Sequence, residues 1–162
     1  MDKKIRIGLV GGGGLFGWYA PILLKLNDIC EVVSVAEKRE SEHLKIKDGL
    51  RNPDIAIYKD YNELYEHGGA DAVFINLPHH MHMNAAVGAA QSGYHVLCEK
   101  VMARNTYECR QMIDASKKAG KILGIAHDRR FSRNWIALKK SKTPASWVKS
   151  SSRDLSITVM FA

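Results

Sequence analysis

Short apolar runs alternate with longer stretches of helical periodicity along most of this chain. Runs rich in aliphatic and β-branched residues predict strands at 4–10, 31–36, 55–58, 71–76, 94–98 and 121–126. Apolar residues spaced three or four apart predict helices at 15–26, 41–50, 60–66, 81–91 and 106–119. Because strands and helices alternate, we predict an α/β fold, a doubly wound parallel sheet with helices on both faces.

Local signals refine the ends of three helices. Ser41 is a candidate N-cap of the second helix, because a serine hydroxyl can accept from the first turn's N–H groups. Pro21 is tolerated best in a first turn, which favours a later start for the first helix. Asn105 or Thr106 is expected to cap the last long helix, and Gly120 is expected to end it.

A glycine-rich turn joins the first strand to the first helix. Gly12, Gly14 and Gly17 satisfy the spacing G-x-G-x-x-G. A helix N-terminus behind such a turn offers unpaired N–H groups and a positive dipole end, which suits a pyrophosphate. The residues predicted to contact the phosphates are Gly12, Gly14, Leu15, Phe16 and Gly17.

An acidic residue follows the second predicted strand. Glu37 lies 20 residues beyond Gly17. A carboxylate there can accept both hydroxyl hydrogens of an adenosine ribose and repels a 2′-phosphate, so it favours NAD. A solvated glutamate at a strand end is the plainer alternative. Lys38 and Arg39 come next, and a cation there could accept the phosphate, so NADP stays open.

Two more polar or turn-forming pairs follow later strands. Leu77-Pro78 comes after the fourth strand and Glu99-Lys100 after the fifth. A doubly wound sheet binds ligands at the carboxyl ends of its strands, near the point where the strand order reverses. We therefore expect these pairs, the glycine turn and Glu37 to converge on one ligand.

Composition and charge narrow the class of protein. The chain has 162 residues, of which 46% are hydrophobic and 25% charged, typical of one globular domain. The net charge of +7 raises the question of nucleic acid, but eight basic residues fall within 129–153 and no RNA-binding aromatic signature is present. No apolar run reaches about 18 residues. We expect no nucleic-acid partner, no membrane span, no signal peptide and a cytoplasmic location.

Neither the cysteines nor the histidines form a convincing metal motif. Cys30, Cys98 and Cys109 lack metal-like spacing and are expected to be free thiols in a reducing compartment. His79, His80 and His82 lie too close in sequence to supply three ligands from one helix face. We predict no metal, and a loop at a helix start with one histidine facing the site.

Several segments together resemble the cofactor domain of the Gfo/Idh/MocA family of NAD(P)-dependent oxidoreductases. They are the glycine turn, the acid after the second strand, Asp71–His82, Gly93–Lys100 and Arg129–Phe131. The resemblance covers about 4–140 and implies a Rossmann-type NAD(P)-binding domain over 1–141. Residues 142–162 would be a polar linker, followed either by the first strand of the family's C-terminal α+β domain, which is otherwise largely absent here, or by unrelated sequence.

The resemblance also implies roles for individual residues. In the family a Glu-Lys-Pro tripeptide places its lysine beside the nicotinamide and the substrate hydroxyl. Lys100 would then be the catalytic residue that assists proton transfer, and Glu99 would contact the nicotinamide ribose region. The family's Thr-Pro-x-x-x-His corresponds to Leu77, Pro78 and His82, which would bind the cofactor.

This sequence departs from the family pattern at three points. Val101 stands where the family has proline, and a cis bond before a residue other than proline costs about 3 kcal/mol. Leu77 replaces a hydroxyl residue that often faces the cofactor, so one hydrogen bond is lost. The family's usual distance from strand to turn would make Gly11 and Gly13 the first two glycines; we take Gly12, Gly14 and Gly17 as the motif.

The expected function is hydride transfer between NAD(P) and a sugar, cyclitol or related polyol. The chain is expected to be a truncated form of a longer protein, which would form a homo-oligomer only with the C-terminal domain present. Two alternatives remain: a non-catalytic dinucleotide-binding module or redox sensor, and a remnant that binds nothing.

Overall fold

The computed structural model describes residues 3–140, in two units. The first unit extends to residue 126 and contains a six-stranded sheet. Its elements in chain order are β1 (Ile5–Val10), α1 (Phe16–Lys25), β2 (Cys30–Ala36), α2 (Glu40–Leu50), β3 (Ala56–Tyr58), α3 (Tyr61–His67), β4 (Ala72–Ile75), α4 (His82–Gln91), β5 (His95–Cys98), α5 (Thr106–Ala119) and β6 (Leu123–Ile125). A 3₁₀ turn, His79–Met81, precedes α4.

All neighbouring strands of the sheet are parallel, in the order β3-β2-β1-β4-β5-β6. The chain therefore winds outward from β1 in one direction and then from β4 in the other, which confirms the doubly wound α/β fold. Val10 pairs with Ala36 on one side and with Ile75 on the other. The carboxyl ends of β1, β2 and β4 thus lie level, and the loops that follow them meet at one edge.

Side chains along each strand point alternately to the two faces of the sheet, and each face has its own hydrophobic core. Leu9 and Phe74 belong to the cluster packed with Phe16 of α1 and Ile46 of α2. Their chain neighbours Val10 and Ile75 point to the opposite face, as a period of two requires. There they pack with residues of α3, α4 and α5 that include Leu64, Ala85, Ala89 and Met112.

Two of the predicted helix ends are wrong, and both predicted ends of α5 are confirmed. Ser41 is not the N-cap of α2, which begins at Glu40 after Arg39 and has no side-chain cap. Pro21 lies inside α1 instead of in its first turn. Its missing N–H would have paired with the carbonyl of Gly17, an exposed residue whose carbonyl can turn to water. Asn105 caps α5 by accepting from the N–H of Glu108 at 2.9 Å, and Gly120 ends it with φ of 65°.

The second unit begins at His127, and its described part contains a 3₁₀ turn, Asp128–Phe131, and helix α6 (Arg133–Lys140). The sequence pattern did not predict this helix. The predicted linker over 142–162 lies outside the described residues. None of the helices in the described part is both long and apolar enough to cross a bilayer.

An ion pair connects the start of β1 to the residue before β4. Asp71 accepts from the backbone N–H of Arg6 at 2.9 Å and from its guanidinium at 2.7 and 3.1 Å. These hydrogen bonds from Arg6 lower the pKa of Asp71 below its ordinary value of 3.8. Since the folded-state pKa is lowered, the pair stabilises the fold above pH 3.8 and its contribution disappears as acid protonates the folded carboxylate.

We expect Asp71→Asn to remove this pH dependence. The variant should unfold more easily than the wild type near neutral pH, and the difference should shrink as the pH falls through and below 3.8. Urea unfolding followed by tryptophan fluorescence across that range measures the difference. Asp114→Asn, on the exposed face of α5, is the matched control. A difference for Asp71→Asn that stays constant in acid contradicts the prediction.

Candidate functional site

The turn after β1 requires glycine at its first position. Gly11 has φ of 97°, which side chains rarely adopt, and a Cβ there would lie 2.4 Å from the carbonyl oxygen of Asn76. The N–H of Gly11 donates to Ala36 at 2.9 Å, and the N–H of Asn76 donates to Val10 at 2.7 Å. The turn is therefore held tightly between the ends of β2 and β4.

The steric demand for glycine lies at other positions than the spacing G-x-G-x-x-G suggested. A Cβ on Gly14 or Gly17 would meet no atom within 4 Å, and Gly17 is exposed on α1. A Cβ on Gly12 or Gly13 would instead meet the side-chain ends of Ile46 and Arg39, at 2.3 and 2.6 Å. The first position at which a side chain would clash is therefore Gly11. Gly11 is also the first glycine of the motif if the family's usual distance from strand to turn is followed.

The segment that leads into α1 leaves backbone donors available. Among the described residues, no hydrogen bond uses the N–H of Gly14 or Leu15, whereas that of Phe16 donates to Gly13 at 2.8 Å. The Phe16 side chain is buried in the core. Unpaired N–H groups at the positive end of a helix can receive an anion such as a phosphate.

Glu37 lies at the end of β2 as a buried carboxylate, with 6% of its surface exposed. One oxygen accepts from the N–H and Nε of Arg39, and the other from the N–H of Gly12 at 3.1 Å and Nη2 of Arg39 at 3.0 Å. Burial alone would raise the pKa of Glu37, but the hydrogen bonds from Arg39 and Gly12 outweigh it and lower the pKa. The group is therefore ionised at neutral pH.

A cavity of about 530 Å³ opens beside this carboxylate. Six of the residues predicted from the sequence line it: Gly14, Leu15, Glu37, Lys38, Leu77 and Pro78. The other predicted residues of the turn, Gly12, Phe16 and Gly17, line a separate cavity of about 490 Å³ between α1 and α2. Gly13, Gly14 and Arg39 line both cavities.

Glu99 and Lys100 follow β5 at the same edge of the sheet. Glu99 is buried and accepts from the hydroxyl of Tyr19 and from the N–H of Lys100, the latter at 2.9 Å. The side chain of Lys100 is half exposed, with its Nζ 4.0 Å from the Glu99 carboxylate. The peptide bond between Lys100 and Val101 is cis. Glu99 thus fixes the backbone of Lys100, and the Lys100 amine stays accessible.

His82 lies elsewhere than the sequence suggested. It is completely buried at the start of α4, and its two ring nitrogens each lie 2.8 Å from a backbone carbonyl oxygen, those of Leu77 and Val101. It does not line the cavity beside Glu37. A side-chain contact between His82 and a cofactor does not fit this placement, because no part of the ring reaches the surface.

Sequence reasoning missed two residues that organise the site. Arg39 was considered only as a partner for a phosphate, although its position two residues after Glu37 places it within reach of that carboxylate. Tyr19 gave no signal at all, because its contact with Glu99 joins residues 80 apart in the chain. Its ring packs edge-on against Phe74 at 4.7 Å, which directs the hydroxyl.

Comparisons with known proteins identify relatives of this chain. Residues 5–127 match the family model for the Gfo/Idh/MocA oxidoreductases, described as an oxidoreductase family with an NAD-binding Rossmann fold. A myo-inositol 2-dehydrogenase of Thermotoga maritima is 32% identical over 138 residues, covering 85% of this chain and 40% of the relative. An NADP(+)-dependent scyllo-inositol 2-dehydrogenase of Bacillus subtilis is 40% identical over 83 residues, 51% of this chain and 25% of the relative.

A solved structure shows the same fold. The WlbA dehydrogenase of Bordetella pertussis, crystallised with NADH and UDP-GlcNAcA, superposes with a TM-score of 0.76 at 25% identity. The match covers 85% of this chain and 41% of that one. The present chain thus spans about 40% of the length of the Thermotoga maritima and Bordetella pertussis relatives.

Proposed function

Because this chain belongs to the Gfo/Idh/MocA oxidoreductase family and carries its NAD-binding Rossmann domain, we propose that the protein transfers hydride between NAD(P) and a sugar, cyclitol or related polyol. The observation that carries the proposal is the meeting of three groups at one edge of the sheet. These are the glycine turn, the ionised Glu37 and the Glu99-Lys100 pair. Two of the relatives are named as inositol dehydrogenases, which supports the substrate class.

We expect the dinucleotide to lie along this edge of the sheet, from the glycine turn to the Lys100 loop. The N–H groups of Gly14 and Leu15 would receive the pyrophosphate, and Glu37 would accept from the adenosine ribose hydroxyls. All acceptor positions of Glu37 are now taken by Gly12 and Arg39, so the Arg39 side chain, 49% exposed, would turn away to admit the ribose. Lys38, Leu77 and Pro78 would form the wall around the adenosine.

The catalytic part of the proposal concerns Lys100. Bound NAD(P) supplies the acceptor or donor of hydride. Lys100 would hold or move the proton of the substrate hydroxyl at its Nζ, as a general acid or base. Glu99 would orient it, through the bond to the Lys100 N–H and the 4.0 Å approach to Nζ, and would lie near the nicotinamide ribose.

The rest of the substrate pocket would come from outside this chain. The Thermotoga maritima and Bordetella pertussis relatives are about two and a half times the length of the part they share with it. We propose that the active protein carries a second domain opposite the Lys100 loop, and that this domain also forms any homo-oligomer. NADH binding without turnover in such a longer protein would favour the non-catalytic module instead.

The proposed role of Glu37 in cofactor binding predicts that Glu37→Ala weakens the binding of NADH. A hydrogen bond to a charged group is worth about 1.5–3 kcal/mol, so we expect the dissociation constant to rise by about ten- to a hundredfold. Titration of NADH fluorescence with the 162-residue chain measures it. Glu66→Ala, which removes an exposed acid from α3, is the matched control.

Thermal unfolding with and without NADH is an independent test of the contact between Glu37 and NADH. NADH at 100 times its dissociation constant should stabilise the wild type by about 2.7 kcal/mol, and the same concentration should stabilise Glu37→Ala by less. An unchanged melting temperature of the wild type with millimolar NADH would instead indicate that the chain binds no dinucleotide.

A further inference from the structure

His82 bridges two loops at the ligand edge of the sheet. Its Nε2 lies 2.8 Å from the carbonyl oxygen of Leu77, after β4, and its Nδ1 lies 2.8 Å from that of Val101, after β5. The ring is completely buried, so water cannot replace either contact. A neutral imidazole carries hydrogen on one nitrogen only, so in that form the ring donates to one of the two carbonyls.

The two bridged loops carry different parts of the proposed site. The loop after β4 supplies Leu77 and Pro78 to the cavity beside Glu37. The loop after β5 carries Lys100, whose N–H donates to Glu99 on one side of the residue. On the other side, the carbonyl of Val101 is held by His82. The backbone around Lys100 is therefore fixed from both directions, although its side chain is half exposed.

We propose that His82 is a positioning residue that sets the Lys100 loop relative to the cofactor cavity, as a clamp that lies between the carbonyls of Leu77 and Val101 and donates to at least one of them. It acts through Lys100 and touches neither cofactor nor substrate. The proposal rests on the proposed role of Lys100 beside the nicotinamide. It assigns His82 a different task from the cofactor contact expected from the sequence.

The test measures where the Lys100 amine lies, independently of turnover. Reductive methylation of the 162-residue chain is followed at Lys100 by mass spectrometry, with saturating NADH or with saturating ADP-ribose, which lacks the nicotinamide half. In the wild type we expect NADH to slow methylation of Lys100 several-fold more than ADP-ribose does. In His82→Phe, which keeps a ring but no donor, the two ligands should protect Lys100 equally.

Control variants separate positioning from a general loss of structure. ADP-ribose should still bind His82→Phe, because the proposed contacts of Gly14, Leu15 and Glu37 with its pyrophosphate and ribose do not involve His82. His82→Gln keeps a side-chain donor and should restore part of the protection. His80→Phe, which alters an exposed neighbouring histidine, should retain all of it. Wild-type protection in His82→Phe overturns the proposal.

A second measurement, amide hydrogen exchange, tests the role of His82 separately from the proposed role of Lys100. If NADH and ADP-ribose protect Lys100 equally in the wild type, the placement of Lys100 beside the nicotinamide is wrong. The clamp is then judged by amide hydrogen exchange without nucleotide. Faster exchange over 99–103 in His82→Phe, with β4 and β5 unchanged, supports the clamp, and unchanged exchange over 99–103 overturns it.

Discussion

Replacing Lys100 with alanine is expected to abolish turnover while leaving NADH affinity nearly unchanged. A positioned acid or base contributes about 10²–10⁴-fold, so kcat should fall by that factor. The affinity should persist because the described contacts that suit the dinucleotide, from the glycine turn and Glu37, do not involve the Lys100 amine. The measurement is steady-state kinetics of a longer protein that contains this chain and the proposed second domain, with myo-inositol and related polyols.

The control for this prediction is Lys118→Ala, which removes an exposed lysine near the end of α5. It should leave kcat and NADH affinity as they are. A normal kcat in Lys100→Ala would show that another group moves the proton. A parallel loss of NADH affinity would show that Lys100 contributes to binding in the ground state, in which case its effect is not confined to the transition state.

Most of the fold could be predicted because it follows from local patterns. Every strand of the sheet was predicted to within three residues at each end, since apolar runs of this length bury both faces of a parallel strand. The position of Glu37 at the ligand edge also followed, because a residue directly after a strand lies at that strand's carboxyl end. The helix over Arg133–Lys140, which follows the last strand, was not predicted.

The details of the site depend on contacts that join distant parts of the chain. The space available for a Cβ at Gly11 is limited by the carbonyl oxygen of Asn76. The sequence of the glycine run does not indicate how close that oxygen lies. The direction of the His82 ring is set by carbonyls of two separate loops. Sequence spacing could therefore identify which residues surround the site, but not which of them face it.

The glycine register gives the prediction with the largest effect on stability. Gly11→Ala places a side chain at φ of 97° and a Cβ 2.4 Å from the Asn76 carbonyl oxygen. Strained backbone costs about 1–3 kcal/mol and overpacking about 1–3 kcal/mol more. The combined loss of about 2–6 kcal/mol is a large share of a typical unfolding free energy of about 5–15 kcal/mol. Urea unfolding of the chain, followed by circular dichroism, measures it.

Gly17→Ala should change stability in the opposite direction. Gly17 is the second residue of α1, with open space around the position of a Cβ, and alanine is favoured over glycine there by at most about 0.8–1.0 kcal/mol, the value for a helix interior. If Gly11→Ala lowers the free energy of unfolding and Gly17→Ala raises it, Gly11 is the position of the turn that excludes a side chain. If Gly17→Ala destabilised the chain and Gly11→Ala did not, the register of Gly12, Gly14 and Gly17 would be the correct one, and the close packing of α1 on the sheet would occur at Gly17.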